Sequence, residues 1–125
     1  ESRELHISET LCAQGASADE LYFVDHGRVG AFYRTEMNEW ARVRSTGDRT
    51  ILGEMGFFTR TPRTATLRAE TIAVVYVLSR DAYEGLCGQH PRLSSTLLEA
   101  VLRTLIHRLD MSTKLIATYD KSVTN

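Results

Sequence analysis

The chain has 125 residues and 14.1 kDa, with 15 Lys+Arg against 16 Asp+Glu, four His and two Cys. A chain of this length buries roughly two-thirds of its extended surface, enough for one domain (1-125) with its own core. The formal net charge of -1 excludes the overall basic excess of a general nucleic-acid binder, and no apolar run of about 18 residues is present to enter a membrane. Cys12 and Cys87 form neither a metal-type nor a redox-type cluster, and their apolar surroundings read as free buried thiols in a reducing, cytosolic setting. The opening at Glu1, without initiator Met or signal peptide, reads as a fragment cut from a longer chain.

From residue 11 to residue 78 the chain reads as short strands joined by polar or Gly-containing turns. Leu11 to Ala13 comes first, closed by a Gln14-Gly15 turn. The runs Leu21-Tyr22-Phe23-Val24 and Val29 to Tyr33 flank Asp25-His26-Gly27-Arg28, where glycine can supply a positive φ, so a hairpin is expected there. Thr35 to Glu39 is a polar tip before Trp40 and Val43. The turn-like Thr46-Gly47-Asp48 and the pair Ile51-Leu52 then lead to Gly53. Thr64 to Leu67 and Ile72 to Leu78 supply two more strands, the last rich in β-branched residues. About eight short strands with tight turns imply a sheet that closes on itself rather than a parallel α/β sheet.

The pattern changes at Ser79, an N-cap with Asp81 in the first turn of a short helix reaching Cys87 and ended by Gly88. His90-Pro91 opens the next helix, since Pro costs nothing at the first helical position. Leu93, Leu97, Val101, Leu102, Leu105, Ile106, Leu109, Leu115 and Ile116 recur at spacings of three and four. They make an apolar stripe along roughly 28 residues, or about 42 Å. One small barrel does not use up such a stripe, so part is expected to cover the barrel mouth and part to meet a second copy or other domains of the parent protein. The segment from Thr118 to Asn125 is expected to fray.

The densest chemistry lies between Gly53 and Leu67. Gly53-Glu54-Met55-Gly56 places two glycines three apart, letting backbone N-H groups approach a ligand. Phe57 and Phe58 anchor a short helical turn whose N-terminal amides suit an anion. Arg63 follows Pro62, which forces an extended entry. Its planar fork of donors suits a phosphate, and Thr64 adds a hydroxyl. An ionised Glu54 only accepts, so it would meet a ligand hydroxyl, or Arg63 itself in an empty pocket. Backbone donors, Arg and carboxylate together describe a ligand with both a phosphate and a sugar hydroxyl.

Gly53-Glu54-Met55-Gly56, followed by Thr61-Pro62-Arg63-Thr64-Ala65-Thr66, resembles the phosphate-binding cassette of cyclic-nucleotide-binding domains. Gln14-Gly15 and the stretch Leu21 to Val29 resemble that family's glycine-turn and hairpin pattern. The resemblance implies a mainly β fold with C-terminal helices, an eight-stranded jelly-roll-like β-roll over about 5-78 with a short helix inside the cassette. The helices would follow over about 79-119. It implies cAMP or cGMP as a reversible ligand, with no tightly bound cofactor and no metal. Glu54 would take the ribose 2′-hydroxyl and Arg63 the exocyclic phosphate oxygens. The amides of Gly53, Met55 and Gly56 would assist, and Thr64 would touch the phosphate or favour guanine. The C-terminal helix would close over the base through Leu97, Val101 or Leu105. Ser8-Glu9 departs from the family's usual turn, and Arg49 stands where a second glycine is common, so Arg49 takes an easy turn or accepts strain. The stretch from Arg42 to Phe57 also looks somewhat like the cytoplasmic tail type of bacterial sulfate-transporter-like proteins.

Bland alternatives accompany each reading. Arg63 and Glu54 can be a structural ion pair, Thr64 a residue chosen for strand propensity, and Phe57 and Phe58 core anchors. Tyr22, Phe23, Phe32, Tyr33 and Trp40 read as core and surface packing rather than a nucleic-acid platform, and Arg42 and Arg44 as a solvated strand face. His6, His26, His90 and His107 are scattered and show no ligand set, and no local nucleophile-base pair is seen, so no enzyme is expected. The functional expectation is a regulatory cyclic-nucleotide sensor signalling through its last helix. The alternative is a non-binding roll that serves as an interaction or dimerisation module.

Overall fold

The computed structural model describes residues 1–124, with side chains through residue 120. The chain forms two compact units, one from Glu1 to Gly85 and one from Leu86 onward. In the first, β1 (Ser2–Leu5), β3 (Glu20–His26), β6 (Thr50–Leu52) and β8 (Ala73–Ser79) make one antiparallel sheet. A second sheet contains β2 (Thr10–Cys12), β4 (Val29–Arg34), β5 (Trp40–Thr46) and β7 (Thr66–Ala69). Strand order is β1-β8-β3-β6 in one and β2-β7-β4-β5 in the other. The eight-stranded roll expected from the sequence is the fold observed.

Both sheets contribute to one core, with Leu5, Tyr22, Val24 and Val75 from the first and Val29 and Leu67 from the second. Alternation sends Tyr22 and Val24 inward, while Leu21 on the opposite face of β3 is also fully buried. Burial of β3 on both faces accounts for its unbroken apolar run. α1 (Glu54–Thr59) packs beside β3 with Phe57 fully buried.

Several sequence expectations change. The turn at Asp25 to Arg28 does not close a hairpin: β3 pairs with β6 and β8, and β4 with β5 and β7, so this turn carries the chain between sheets. Gly27 there has φ 100, and a Cβ on it would lie 2.5 Å from Ile72 O. β1 begins at Ser2, earlier than the roll's expected start, because Ser2 to Leu5 is recruited by pairing with Tyr76 to Ala73 rather than by apolar pattern. The strand placed at Thr64 to Leu67 instead runs Thr66–Ala69, leaving Thr64 in a bend, and the last strand runs Ala73–Ser79. Cys87 is exposed and Cys12 half-buried, with burial pushing the Cys12 thiol up; both are free.

α2 (Arg80–Gln89) starts where Ser79 predicts, since the amide of Ala82 donates to Ser79 Oγ at 3.1 Å. It runs through Gly88 and stops before His90-Pro91, because a glycine weakens a helix while a pre-proline residue disfavours continuing it. In the second unit α3 (Pro91–Thr124) begins on the expected proline and extends 34 residues, about 51 Å. It continues past the expected fraying point at Thr118 to Thr124, and Asn125 lies outside the described residues. No helix among the described residues is long and apolar enough to cross a membrane.

Candidate functional site

The cassette begins where β6 ends. Gly53 takes φ 78, a left-handed conformation that costs an L-residue about 1–2 kcal/mol, and α1 follows immediately. A Cβ on Gly53 would stand 2.6 Å from Arg63 Nη1 and 3.1 Å from Tyr22 Cδ2, so glycine is what lets the arginine lie against the backbone. Gly56 is buried. A Cβ there would lie 2.7 Å from Ala18 Cβ and 2.9 Å from Thr61 O, so it sets the close seat of α1 on the loop before β3. Met55 and Gly56 fall in the first helical turn, where an α-helix offers their amides no carbonyl of its own. The Met55 side chain is exposed. Phe57 acts as the expected core anchor, whereas Phe58 is exposed; both rings meet Tyr83 edge-on at 5.5 and 5.6 Å.

The helix closes through Arg60, at φ 57, with the Thr61 amide bonded to Gly56 O at 3.3 Å. The chain then turns back and Arg63 is clamped by its backbone: its amide donates to Ala16 O at 2.9 Å, and its carbonyl accepts from the Gly15 amide at 2.8 Å. The expected strand mount for Arg63 is therefore replaced by a two-bond bridge to the Gln14-Gly15 turn, with β7 starting three residues later. Thr64, just beyond, is exposed.

Arg63 is only 5% exposed and Glu54 6%. Arg63 donates from Nη1 to Gly53 O at 2.7 Å and from Nη2 to Glu20 O at 2.5 Å, and its guanidinium lies 5.1 Å from the centre of the Tyr22 ring. Its Nε has no hydrogen-bond partner among the described residues. A buried cation bonded to two carbonyls and resting on a ring is held in place with one N-H still unbonded. Such a group favours an anion. The structure thus seats the Arg63 guanidinium against Gly53, with Glu54, Met55 and Gly56 following Gly53 in α1 and Thr64 exposed next to Arg63.

Sequence reading missed the residues that support Arg63. Glu20 offers its carbonyl to Arg63, while its carboxylate accepts from the Tyr22 hydroxyl at 3.0 Å and from Arg3 at 2.8 Å, linking β1 to the guanidinium. Burial pushes the Tyr22 phenol up, so it stays a donor to Glu20 at neutral pH. Arg80 was also missed. It donates to Ala18 O and Phe57 O, both at 2.8 Å, and covers the Phe57 ring at 4.5 Å, tying α1 to the start of α2. Most of these partners are main-chain carbonyls, which leave no residue-type signal.

Comparison with known proteins agrees with this geometry. The family model described as cyclic nucleotide-binding domain matches residues 2–90. A cyclic nucleotide-binding domain from Methylobacillus flagellatus KT is 25% identical with a TM-score of 0.85, over 94% of this chain and 66% of that one. The EAL enzyme Bd1971, in forms bound to cAMP and to cGMP, shares the fold at 19% identity and TM-score 0.63, over 96% and 97% of this chain and 32% of that one. The lysophospholipase nte1 of Aspergillus fumigatus is 26% identical over 108 residues, 84% of this chain but 7% of that protein's length. With most of its length matched by the family model and the roll and cassette both in place, the chain belongs to the cyclic nucleotide-binding domain family.

Proposed function

We propose that this domain reversibly binds a cyclic nucleotide, cAMP or cGMP, and serves as a regulatory module without catalysis of its own. The observation that carries the reading is Arg63: buried, stacked on Tyr22, fitted against a left-handed Gly53 and with its Nε not hydrogen-bonded. A cyclic phosphate supplies the anion that this guanidinium lacks, exchanging hydrogen bonds to neutral carbonyls for charge-assisted ones. The amides of Gly53, Met55 and Gly56 add donors on the same side. Glu54 accepts from the ribose hydroxyl, and Thr64 adds a hydroxyl at the rim. Family membership, and the cAMP- and cGMP-bound forms of a fold relative, support the ligand class.

Isothermal titration with cAMP and cGMP tests this. Saturable heat is expected for at least one of them, and Arg63→Ala should weaken it about 30-fold or more, from the loss of a charged hydrogen bond of about 2 kcal/mol or more. Absence of heat with both nucleotides, or unchanged affinity in an Arg63→Ala variant that keeps its circular dichroism, overturns the reading.

Output through α3 belongs to the same proposal, and an observation on α3 favours self-association alongside binding. Leu98, Leu102, Leu105, Leu109, Ile116 and Tyr119 are all exposed and follow a heptad pattern interrupted by Ser112. A second copy of the helix would cover this seam, and nucleotide occupancy would bias how it is presented. Sedimentation of wild type and Leu102→Lys/Leu109→Lys tests it: a dimer abolished by the substitutions supports the seam, and a wild-type monomer refutes it.

A further inference from the structure

Among the described residues β5 is the outermost strand of its sheet and pairs only with β4, with one register irregularity at Val43 between Arg42 and Arg44. Residues Trp40 to Arg44 along it are exposed. One edge of its main chain thus presents N-H and C=O groups to solvent, the arrangement that accepts an added strand.

The two sides of this strand differ in chemistry. On the outer face of the sheet, Arg34 lies 5.8 Å from the Trp40 ring centre, Arg68 5.6 Å from the same ring, and Arg68 also 5.1 Å from Phe32. Rings and guanidinium groups so form a continuous ladder, Phe32, Arg68, Trp40, Arg34. A guanidinium resting on a ring keeps its N-H edge available for a carboxylate while its position is already restricted. The strand positions of this face also carry Arg42, and the acid beside them is Glu70, just past β7. Arg42 Nη2 and Nε reach the two Glu70 oxygens at 2.9 and 2.8 Å, and the Ser45 hydroxyl also bonds Glu70. Glu70 is therefore occupied, which leaves Arg34 and Arg68 with rings but no carboxylate among the described residues. Glu36 and Glu39 lie at the hairpin tip, bounding the face at one end. On the other side of the strand, Ala41 and Arg44 pair with Tyr33 and Ala31 of β4, and the exposed apolar groups are Tyr33 and Val43, the latter at the register irregularity.

We propose that the β5 edge is a docking site for an extended partner segment that alternates acidic and apolar residues. The segment adds as a strand beside β5. Its acidic side chains meet Arg34 and Arg68 on the ladder face, and its apolar side chains lie against Val43 and Tyr33. This site is separate from the cassette and does not rest on nucleotide binding.

The test uses the full chain, whose single Trp is Trp40, so intrinsic fluorescence reports the site directly. The probe is a ten-residue peptide alternating Glu with Val, compared with its Lys-for-Glu counterpart, an oligothymidylate and phosphatidylserine vesicles. Titration of the Glu peptide should change Trp40 emission saturably and weaken with added salt. Calorimetry should show binding reduced about tenfold or more in Arg34→Ala/Arg68→Gln. Backbone N-methylation of the peptide residues facing β5 should abolish binding, whereas methylation of the alternate residues should not. Absence of saturable binding, equal binding of the Lys peptide, tighter binding of the oligonucleotide or vesicles, or an unaffected Arg34→Ala/Arg68→Gln variant overturns the proposal.

Discussion

Gly53→Ala is the sharpest perturbation of the cassette, because its cost comes from two independent features of one residue. The backbone at φ 78 penalises any L-side chain by about 1–2 kcal/mol. The added methyl would also sit 2.6 Å from Arg63 Nη1, where atoms in contact are normally about 3.5 Å apart, so the guanidinium must retreat by about 1 Å. Its main chain cannot follow, being bonded to Ala16 and Gly15. The 2.7 Å bond from Nη1 to Gly53 O is then lost, a charged hydrogen bond of about 1.5–3 kcal/mol. The sum is about 2.5–5 kcal/mol, a large share of the roughly 5–15 kcal/mol that holds a domain together. Urea denaturation followed by Trp40 fluorescence measures it. Gly85→Ala is the control: that glycine lies inside α2 with nothing within 4 Å of an added Cβ, so the substitution should stabilise by about 0.5–1 kcal/mol. If Gly53→Ala costs less than about 1 kcal/mol, the claim that glycine is required to seat Arg63 is wrong.

Arg49, at φ 58, is a non-glycine residue in a left-handed turn, and Arg49→Gly should raise stability by about 0.5 kcal/mol, the relief of strain exceeding the added unfolded-state entropy; a loss in urea midpoint would show the turn is not strained. Phe57→Ala empties a fully buried ring site and should cost about 3–5 kcal/mol in the same assay, with a smaller loss for the more exposed Phe58→Ala. Hydrogen bonding from Arg42, then from Ser45, holds the Glu70 carboxyl below its ordinary value of 4.5. The folded pKa is depressed, so its contribution is complete above the ordinary value and disappears as pH falls through the lowered one. Denaturation midpoints of Glu70→Gln should accordingly lack that acid-limb component; superimposable acid limbs in the two proteins would refute it.

The roll was legible because its determinants are local. Short β-branched and aromatic runs, glycine-bearing turns, the Ser79 cap and Pro91 each act within a few residues, and so does the spacing from Gly53 to Arg63. Element type, the cassette helix and the starts of both C-terminal helices therefore followed from residue order. The partnering of elements did not. Asp25 to Arg28 has hairpin composition, yet β3 and β4 belong to different sheets, β3 pairing with β6 and β8 and β4 with β5 and β7. β1 has little pattern of its own and exists because β8 offers it an edge. Arg63 was identified by type and spacing. Its seat depends on carbonyls of Gly53 and Glu20 and on the Gly15–Ala16 main chain, groups that every residue carries and that become specific only when folding brings them within hydrogen-bonding distance.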